Sequence, residues 1–344
     1  MGDMSKPNIA IVGAAGMVGK MYRTVLAELK FPYNEIHLLE RAELVGQSRR
    51  VAGKKYPLKK LDEHSFDDDI DIALFSAGGA VSREYAPIAA EHGTVVIDNS
   101  SYWRLDPDVP LVVPEVNPQD AFNRPKGIIS NPNCSTIQAV VALKPLYDAF
   151  GIKRVVYSTY QAVSGSGYKG IKELKEGLKG RDLRSVYPHP IAGNVLPHID
   201  VFQDNGYTKE EMKMINETRK ILGDESIQVT ATTARVPVFT GHSESINVEF
   251  SRPFELDEVR EAWAGAQGLV VKDDPEHNIY PLALDVAGRN EVYVGRLRRD
   301  FSVENGINFW CVADNVRKGA ATNSIQIAEL LLEKPSKAEP ELED

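Results

Sequence analysis

Short apolar runs, each stopped by glycine or small polar residues, punctuate the first third of the chain. Residues 8–12 (Asn-Ile-Ala-Ile-Val) lead at once into Gly13-Ala14-Ala15-Gly16-Met17-Val18-Gly19, and a helical stretch then separates them from a second run at 35–40. Residues 71–76 end in Ala77-Gly78-Gly79, and residues 94–98 end in Asn99-Ser100-Ser101. Continuous apolar strands alternating with helices predict a parallel sheet covered on both faces, with ligands bound beyond the strands' carboxyl ends. After about residue 134 the pattern changes. Residues 154–161, 227–232, 245–250 and 291–296 alternate polar and apolar positions, which predicts antiparallel strands with one covered face. Residues 307–312 form a further strand-like run, and 320–331 an apolar helix that returns to the first domain. The tail from 333, charged and proline-bearing, is expected to be disordered. The fold class is therefore α/β. A Rossmann-like dinucleotide-binding domain spans 1–133 and 316–344, and an α+β domain with a mostly antiparallel sheet spans 134–315.

The first turn reads as a strand, a phosphate-binding loop and a helix. Glycine lets the backbone approach a pyrophosphate, and helix N-terminal amides face its charge. Ala14-Ala15 between the first two glycines departs from G-x-G-x-x-G, so context carries the motif. At the end of the second run the signals conflict. Glu40 suits a ribose hydroxyl and favours NAD, whereas Arg41, with Ser48, Arg49, Arg50 and Lys54 nearby, suits the extra phosphate of NADP. The residues after Arg41 also read simply as a solvated charged loop.

Cys134 stands in Asn131-Pro132-Asn133-Cys134-Ser135-Thr136, just ahead of an apolar helical run. Proline disfavours helix before it and asparagine caps well, so a helix is expected to begin at Cys134. Its N-terminal amides would stabilise a thiolate and an oxyanion; the competing reading is a buried packing cysteine. Composition narrows the class. The chain has 344 residues, a net charge of -9 and only two cysteines, Cys134 and Cys311. That argues against a disulfide framework and against a basic nucleic-acid face. There is neither a membrane-length apolar stretch nor a secretory-type start, so a cytoplasmic location is expected.

Four motifs now carry a resemblance. The Gly13–Gly19 turn, the Asn131–Thr136 segment, Gln161-Ala162-Val163-Ser164-Gly165-Ser166-Gly167 and Arg235-Val236-Pro237-Val238-Phe239-Thr240-Gly241-His242 occur in the order found in aspartate-semialdehyde dehydrogenases. Within that family the chain is most similar to the branch typical of Gram-positive and several other bacteria. The resemblance implies reversible, NADP-dependent, phosphorylating oxidation of aspartate 4-semialdehyde to aspartyl 4-phosphate. That reaction runs reductively toward lysine, methionine and threonine, with a catalytic and dimerisation domain and a homodimer or tetramer.

By the same resemblance Cys134 is the nucleophile within the catalytic Asn133-Cys134 pair, His242 the general acid/base, and Gln161 the amide that orients substrate. Arg235 matches the carboxylate clamp, Glu217 the acid at the substrate amine, and Arg104 with Lys220 the phosphate pair. Gly13, Ala15, Gly16, Met17, Val18, Arg41, Ala77, Gly78, Ser164, Gly165 and Asn315 fall at cofactor positions. No metal is implied. Segment 41–54 is longer than the family's usual serine-arginine loop, so NAD use stays open beside NADP. N-acetyl-gamma-glutamyl-phosphate reductase shares the thioester logic but resembles Asn-Pro-Gly-Cys-Tyr at its nucleophile, which Asn133 and Ser135 fit poorly. A glyceraldehyde-phosphate-type dehydrogenase lacks the Arg235-to-His242 motif. A non-catalytic scaffold would be expected to have lost the set Cys134, Gln161, Arg235 and His242.

Overall fold

The computed structural model describes residues 6–332; the tail expected to be disordered lies outside them. The first layer comprises β1 (Ile9–Val12), α1 (Met17–Glu28), β2 (Ile36–Glu40), β3 (Ser48–Val51), β4 (Lys54–Lys60), β5 (Ile72–Phe75), α2 (Gly79–Glu91), β6 (Val95–Asp98) and β7 (Ile128–Ser130). The strands form one sheet in the order β3-β4-β2-β1-β5-β6-β7, parallel except for the β3–β4 pair. Its central strands β1 and β5 are apolar at every position because both faces are covered. Ile9 and Ile11 pack with Tyr22, Val25 and Leu26 of α1, whereas Ala10 and Val12 pack with Ala86 and Ala89 of α2.

The charged stretch after Arg41 is a β-hairpin, not a loop. Ala52 and Gly53 turn it with φ of 46° and 85°, and of its residues Val51 and Leu58 reach the core. Two inward side chains among so many charges leave little apolar periodicity to read.

The second layer comprises α3 (Cys134–Phe150), β8 (Ile152–Gln161), α4 (Gly167–Gly177), α5 (Lys209–Leu222), β9 (Gln228–Arg235), β10 (His242–Phe250), α6 (Leu256–Ala264), β11 (Leu269–Val271), α7 (Ala283–Val286), β12 (Val292–Asp300) and β13 (Gly306–Ala313). The sheet runs β11-β12-β13-β10-β8-β9. Its middle pairings are antiparallel as expected, but β11–β12 and β8–β9 at the edges are parallel, so the sheet is mixed. Helix α3 is apolar almost all round because it packs against the sheet as well as α5 and α6. A fully buried leucine such as Leu143 is worth about 2–5 kcal/mol against alanine at such a position.

A π-helical turn, Arg317–Ala321, precedes α8 (Thr322–Leu332), whose Ile325, Ile327, Ala328 and Leu331 join the core under α1. The turn brings Gly319 so close to Cys134 that a Cβ there would lie 2.8 Å from the cysteine's own. Lys318 beside it is buried and paired with Glu115 at 2.6 Å. The start of α3 is thereby fixed between the two layers.

Candidate active site

Asn133 caps α3 as expected, its Oδ1 accepting the amides of Ser135 (3.0 Å) and Thr136 (3.4 Å), so the helix begins at Cys134. The cap also takes the two first-turn amides that were expected to stabilise a thiolate. Burial pushes the Cys134 thiol up to about 12, and the Glu210 charge adds to this against Arg235, Arg104 and Lys213. The resting cysteine is a neutral thiol. Its Sγ lies 3.2 Å from His242 Nε2, and the ring's Nδ1 accepts the Ala162 N–H at 3.0 Å. His242 is fully buried; burial and then Arg235 hold its pKa well below the ordinary histidine value, so it too is neutral.

Cys134 lies between two cavities. One, of about 340 Å³, is polar and charged: Arg104, Asn133, Gln161, Glu210, Lys213 and Arg235 line it. Arg235 is nearly buried; Nη1 donates to the Ala162 carbonyl at 2.8 Å and Nε has no partner among the described residues, which leaves guanidinium donors for an anion. Gln161 Nε2 and Asn133 Nδ2 both donate to Glu210 Oε1, at 3.3 and 2.9 Å. Lys213 Nζ bridges Glu210 Oε2 (3.0 Å) and Asp200 Oδ2 (2.8 Å). Burial raises the Glu210 pKa, but Lys213, Asn133 and Arg235 outweigh it and hold the carboxylate ionised.

Two expected residues sit elsewhere. Lys220 Nζ donates to the carbonyls of Arg104, Asp106 and Val109 at 2.7–2.9 Å, so it staples a loop and lines neither cavity at Cys134. Glu217 is buried, bonded to Arg104 Nη1 (3.1 Å) and to the Asn133 amide (2.6 Å), so it orients the cavity wall and does not line it. The cavity-lining acid and lysine are Glu210 and Lys213, seven residues earlier on α5 with the same spacing. Arg104 lines both cavities, with its donors directed to Asn131, Asn99 and Glu217.

The other cavity, of about 280 Å³, is walled by Met17, Val18, Ser164, Gly165, Asn315 and Gly319. Asn315 Oδ1 accepts from Ser164 Oγ (2.9 Å) and the Gly241 amide (3.0 Å), so Nδ2 is the edge left for a ligand. Ser76 is shared with a larger cavity of about 760 Å³ that contains Gly13, Ala15, Gly16, Arg41 and Ala77. Gly13, at φ 83°, lets the turn pass against Ser76, where a Cβ would meet backbone at 2.9 Å. Gly78 lines neither cavity; at φ 94° it turns the chain into α2. Among the described residues no side chain caps α1, so its first amides are open to a phosphate. Glu40 is tied to the Ala15 amide at 2.8 Å and to that of Arg41 at 3.1 Å, while Arg41 and Arg49 flank the same cavity. Among the described residues no cluster of histidine, cysteine and carboxylate side chains is arranged for a metal, and no helix is long and apolar enough to cross a membrane.

Residues 8–123 match the semialdehyde dehydrogenase NAD-binding domain and residues 143–318 the semialdehyde dehydrogenase dimerisation domain. The chain is 55% identical to the aspartate-semialdehyde dehydrogenase of Aquifex aeolicus over 331 residues, 94% of this chain and 97% of that protein. It is 51% identical to the Legionella pneumophila protein of the same name, over 94% of this chain and 95% of that one. The solved aspartate semialdehyde dehydrogenase II from Vibrio cholerae, complexed with ASA, superposes with a TM-score of 0.92 at 48% identity, covering 95% of this chain and 98% of its own. These relatives give the finer attribution to a Gram-positive branch no support.

Proposed function

The chain belongs to the aspartate-semialdehyde dehydrogenase family, and from that premise we propose that it reduces aspartyl 4-phosphate to aspartate 4-semialdehyde, reversibly, through a thioester on Cys134. The observation that carries this reading is Cys134 placed between a cavity lined by charged side chains, sized for a small zwitterion, and one lined mainly by small and apolar residues that opens toward a dinucleotide cleft. Covalent catalysis divides one difficult reduction into acyl transfer and hydride transfer. Arg235 takes the substrate carboxylate, Glu210 the ammonium, and Lys213 with Arg104 the phosphate. Gln161 orients the acyl group, and His242 serves the sulfur and the reacting oxygen.

The cleft fits a nicotinamide dinucleotide, which when bound supplies or takes the hydride. The open α1 amides with Gly13, Ala15, Gly16, Met17 and Val18 hold its pyrophosphate, and Asn315 with Ser164 and Gly165 holds the carboxamide end. Arg41 and Arg49 favour NADP, because Glu40 is already engaged by two backbone amides. A division into 1–133 with 316–344 and 134–315 agrees with α8 entering the first core, and a cytoplasmic homodimer or tetramer completes the reading. An aldehyde pulse with NADP and without phosphate tests the thioester. Mass spectrometry is expected to find an aspartyl adduct on the peptide containing Cys134, and an unmodified peptide would contradict the reading.

A further inference from the structure

Lys213, which takes the phosphate in the proposed reaction, is already engaged by two carboxylates. Its Nζ donates to Glu210 Oε2 at 3.0 Å and to Asp200 Oδ2 at 2.8 Å, which commits two of the three ammonium hydrogens. Burial alone would lower its pKa, but Glu210 and Asp200 outweigh burial and keep it charged. Burial likewise raises the Asp200 pKa, and Lys213 outweighs it, so that carboxylate is ionised as Glu210 is. One ammonium against two carboxylates leaves the trio negative, in the cavity where a phosphate must settle.

The two carboxylates are not held alike. Glu210 also accepts from Asn133 and Gln161, and its side chain is only 7% exposed. Asp200 lies in the loop before α5 with its side chain 32% exposed, and its Oδ1 accepts the amide of the next residue, Val201, at 2.9 Å. Its backbone is left-handed at φ 66°, a conformation that few residues other than glycine, asparagine and aspartate adopt readily. The Val201 carbonyl accepts the Lys209 amide at 2.8 Å and Ile199 is buried, so the loop is anchored on both sides of Asp200. The carboxylate can therefore turn about its own side chain while the loop stays in place.

We propose that Asp200 is an internal counter-ion that competes with phosphate for Lys213. This rests on Lys213 being the phosphate ligand of the proposed reaction. An arriving phosphate takes the Lys213 hydrogen now given to Asp200, whose carboxylate turns toward solvent, while Glu210 stays in place for the substrate ammonium. When phosphate departs, Asp200 recaptures the lysine, so release never leaves a largely buried ammonium short of a partner. The device lowers phosphate affinity and speeds phosphate release.

Asp200→Asn removes the charge and keeps the rest, since asparagine accepts a φ of 66° and its Oδ1 can still take the Val201 amide. Inorganic phosphate is titrated into substrate-free protein at constant ionic strength and read by its protection of Cys134, which lines the same cavity, from iodoacetamide. The expected result is half-protection at about tenfold lower phosphate in Asp200→Asn than in wild type, one like charge having been removed beside the anion. Asp200→Gly, which also suits the backbone and carries neither charge nor amide, is expected to shift the same way. Half-protection at an unchanged or higher concentration in these variants overturns the proposal, and a shift confined to Asp200→Asn overturns it too, by assigning the gain to the new amide. Lys213→Ala tests the underlying reading separately and is expected to need about tenfold more phosphate than wild type. Protection of Lys213→Ala equal to that of wild type refutes the phosphate role of Lys213. If that variant loses protection and the Asp200 variants gain none, the counter-ion proposal fails alone. Absence of protection in wild type removes phosphate from the cavity and overturns both.

Discussion

The two cavities that meet at Cys134 are built by different means. The dinucleotide side is largely backbone and small side chains: open amides of α1, glycines that let chain segments touch, and Asn315 fixed by two donors, with the charges of Arg41 and Arg49 at its far end. The substrate side is made of charged side chains held to one another, with Glu210 accepting from Asn133, Gln161 and Lys213. A backbone wall suits a long ligand of repeating phosphate and ribose. A charged wall suits a small molecule whose ammonium, carboxylate and phosphate must be sorted within a few ångströms. Substitutions should therefore separate: changes on the charged side alter substrate kinetics and leave dinucleotide affinity alone.

The largest effect is expected at the junction. Cys134→Ala should abolish turnover while calorimetric NADP affinity stays within about twofold of wild type, since the thiol forms the intermediate and holds no part of the dinucleotide. Loss of the circular dichroism signal in that variant would return Cys134 to a packing role. Next comes Arg235→Lys, which replaces a planar fork by a point charge. A charge-assisted bond of about 1.5–3 kcal/mol predicts a rise in the substrate KM of roughly 10- to 100-fold, measured in steady state with NADP affinity unchanged. Equal KM values would remove Arg235 from the site.

Two lysines of α5, Lys213 and Lys220, sharpen the comparison. Lys213→Ala should raise the KM for substrate and phosphate by about tenfold or more, because a charge facing the ligand is lost. Lys220→Met should leave those constants alone and lower stability by about 1–3 kcal/mol in urea unfolding, since three carbonyls lose their donor. The reverse outcome would exchange their roles.

The smallest effect concerns Glu244, fully buried on β10 with neither carboxylate oxygen partnered among the described residues. Burial, and then the Glu210 charge, raise its pKa well above the ordinary value. The folded protein keeps a proton that the unfolded chain releases, so stability falls as pH rises from the unfolded pKa toward the folded one. Glu244→Gln should remove that slope and raise Tm at neutral pH, whereas a lower Tm would show that the acid has a partner worth keeping.

The same contrast explains what is legible in the sequence. The strand–glycine–helix signal depends on neighbours in the chain, and so does the start of α3, where Pro132 and Asn133 act on the next few residues. The roles of Glu210 and Glu217 do not. Both begin an acid-x-x-lysine pattern on α5 and lie two turns apart, so local spacing cannot rank them; what separates them is which turn faces the cavity beside Gln161 and Arg235. The neutral state of Cys134 is hidden for a related reason. Helix-start logic lowers a thiol pKa, but burial and the charge of Glu210, brought in from α5, win. The hairpin at 48–60 escapes the apolar pattern because few of its residues face the core.

The most direct measurement is dinucleotide reduction by wild-type protein supplied with aspartate 4-semialdehyde, with and without inorganic phosphate. Sustained NADPH formation that requires phosphate is the predicted result. No reduction with that aldehyde, together with turnover of N-acetylglutamate 5-semialdehyde, would contradict the account.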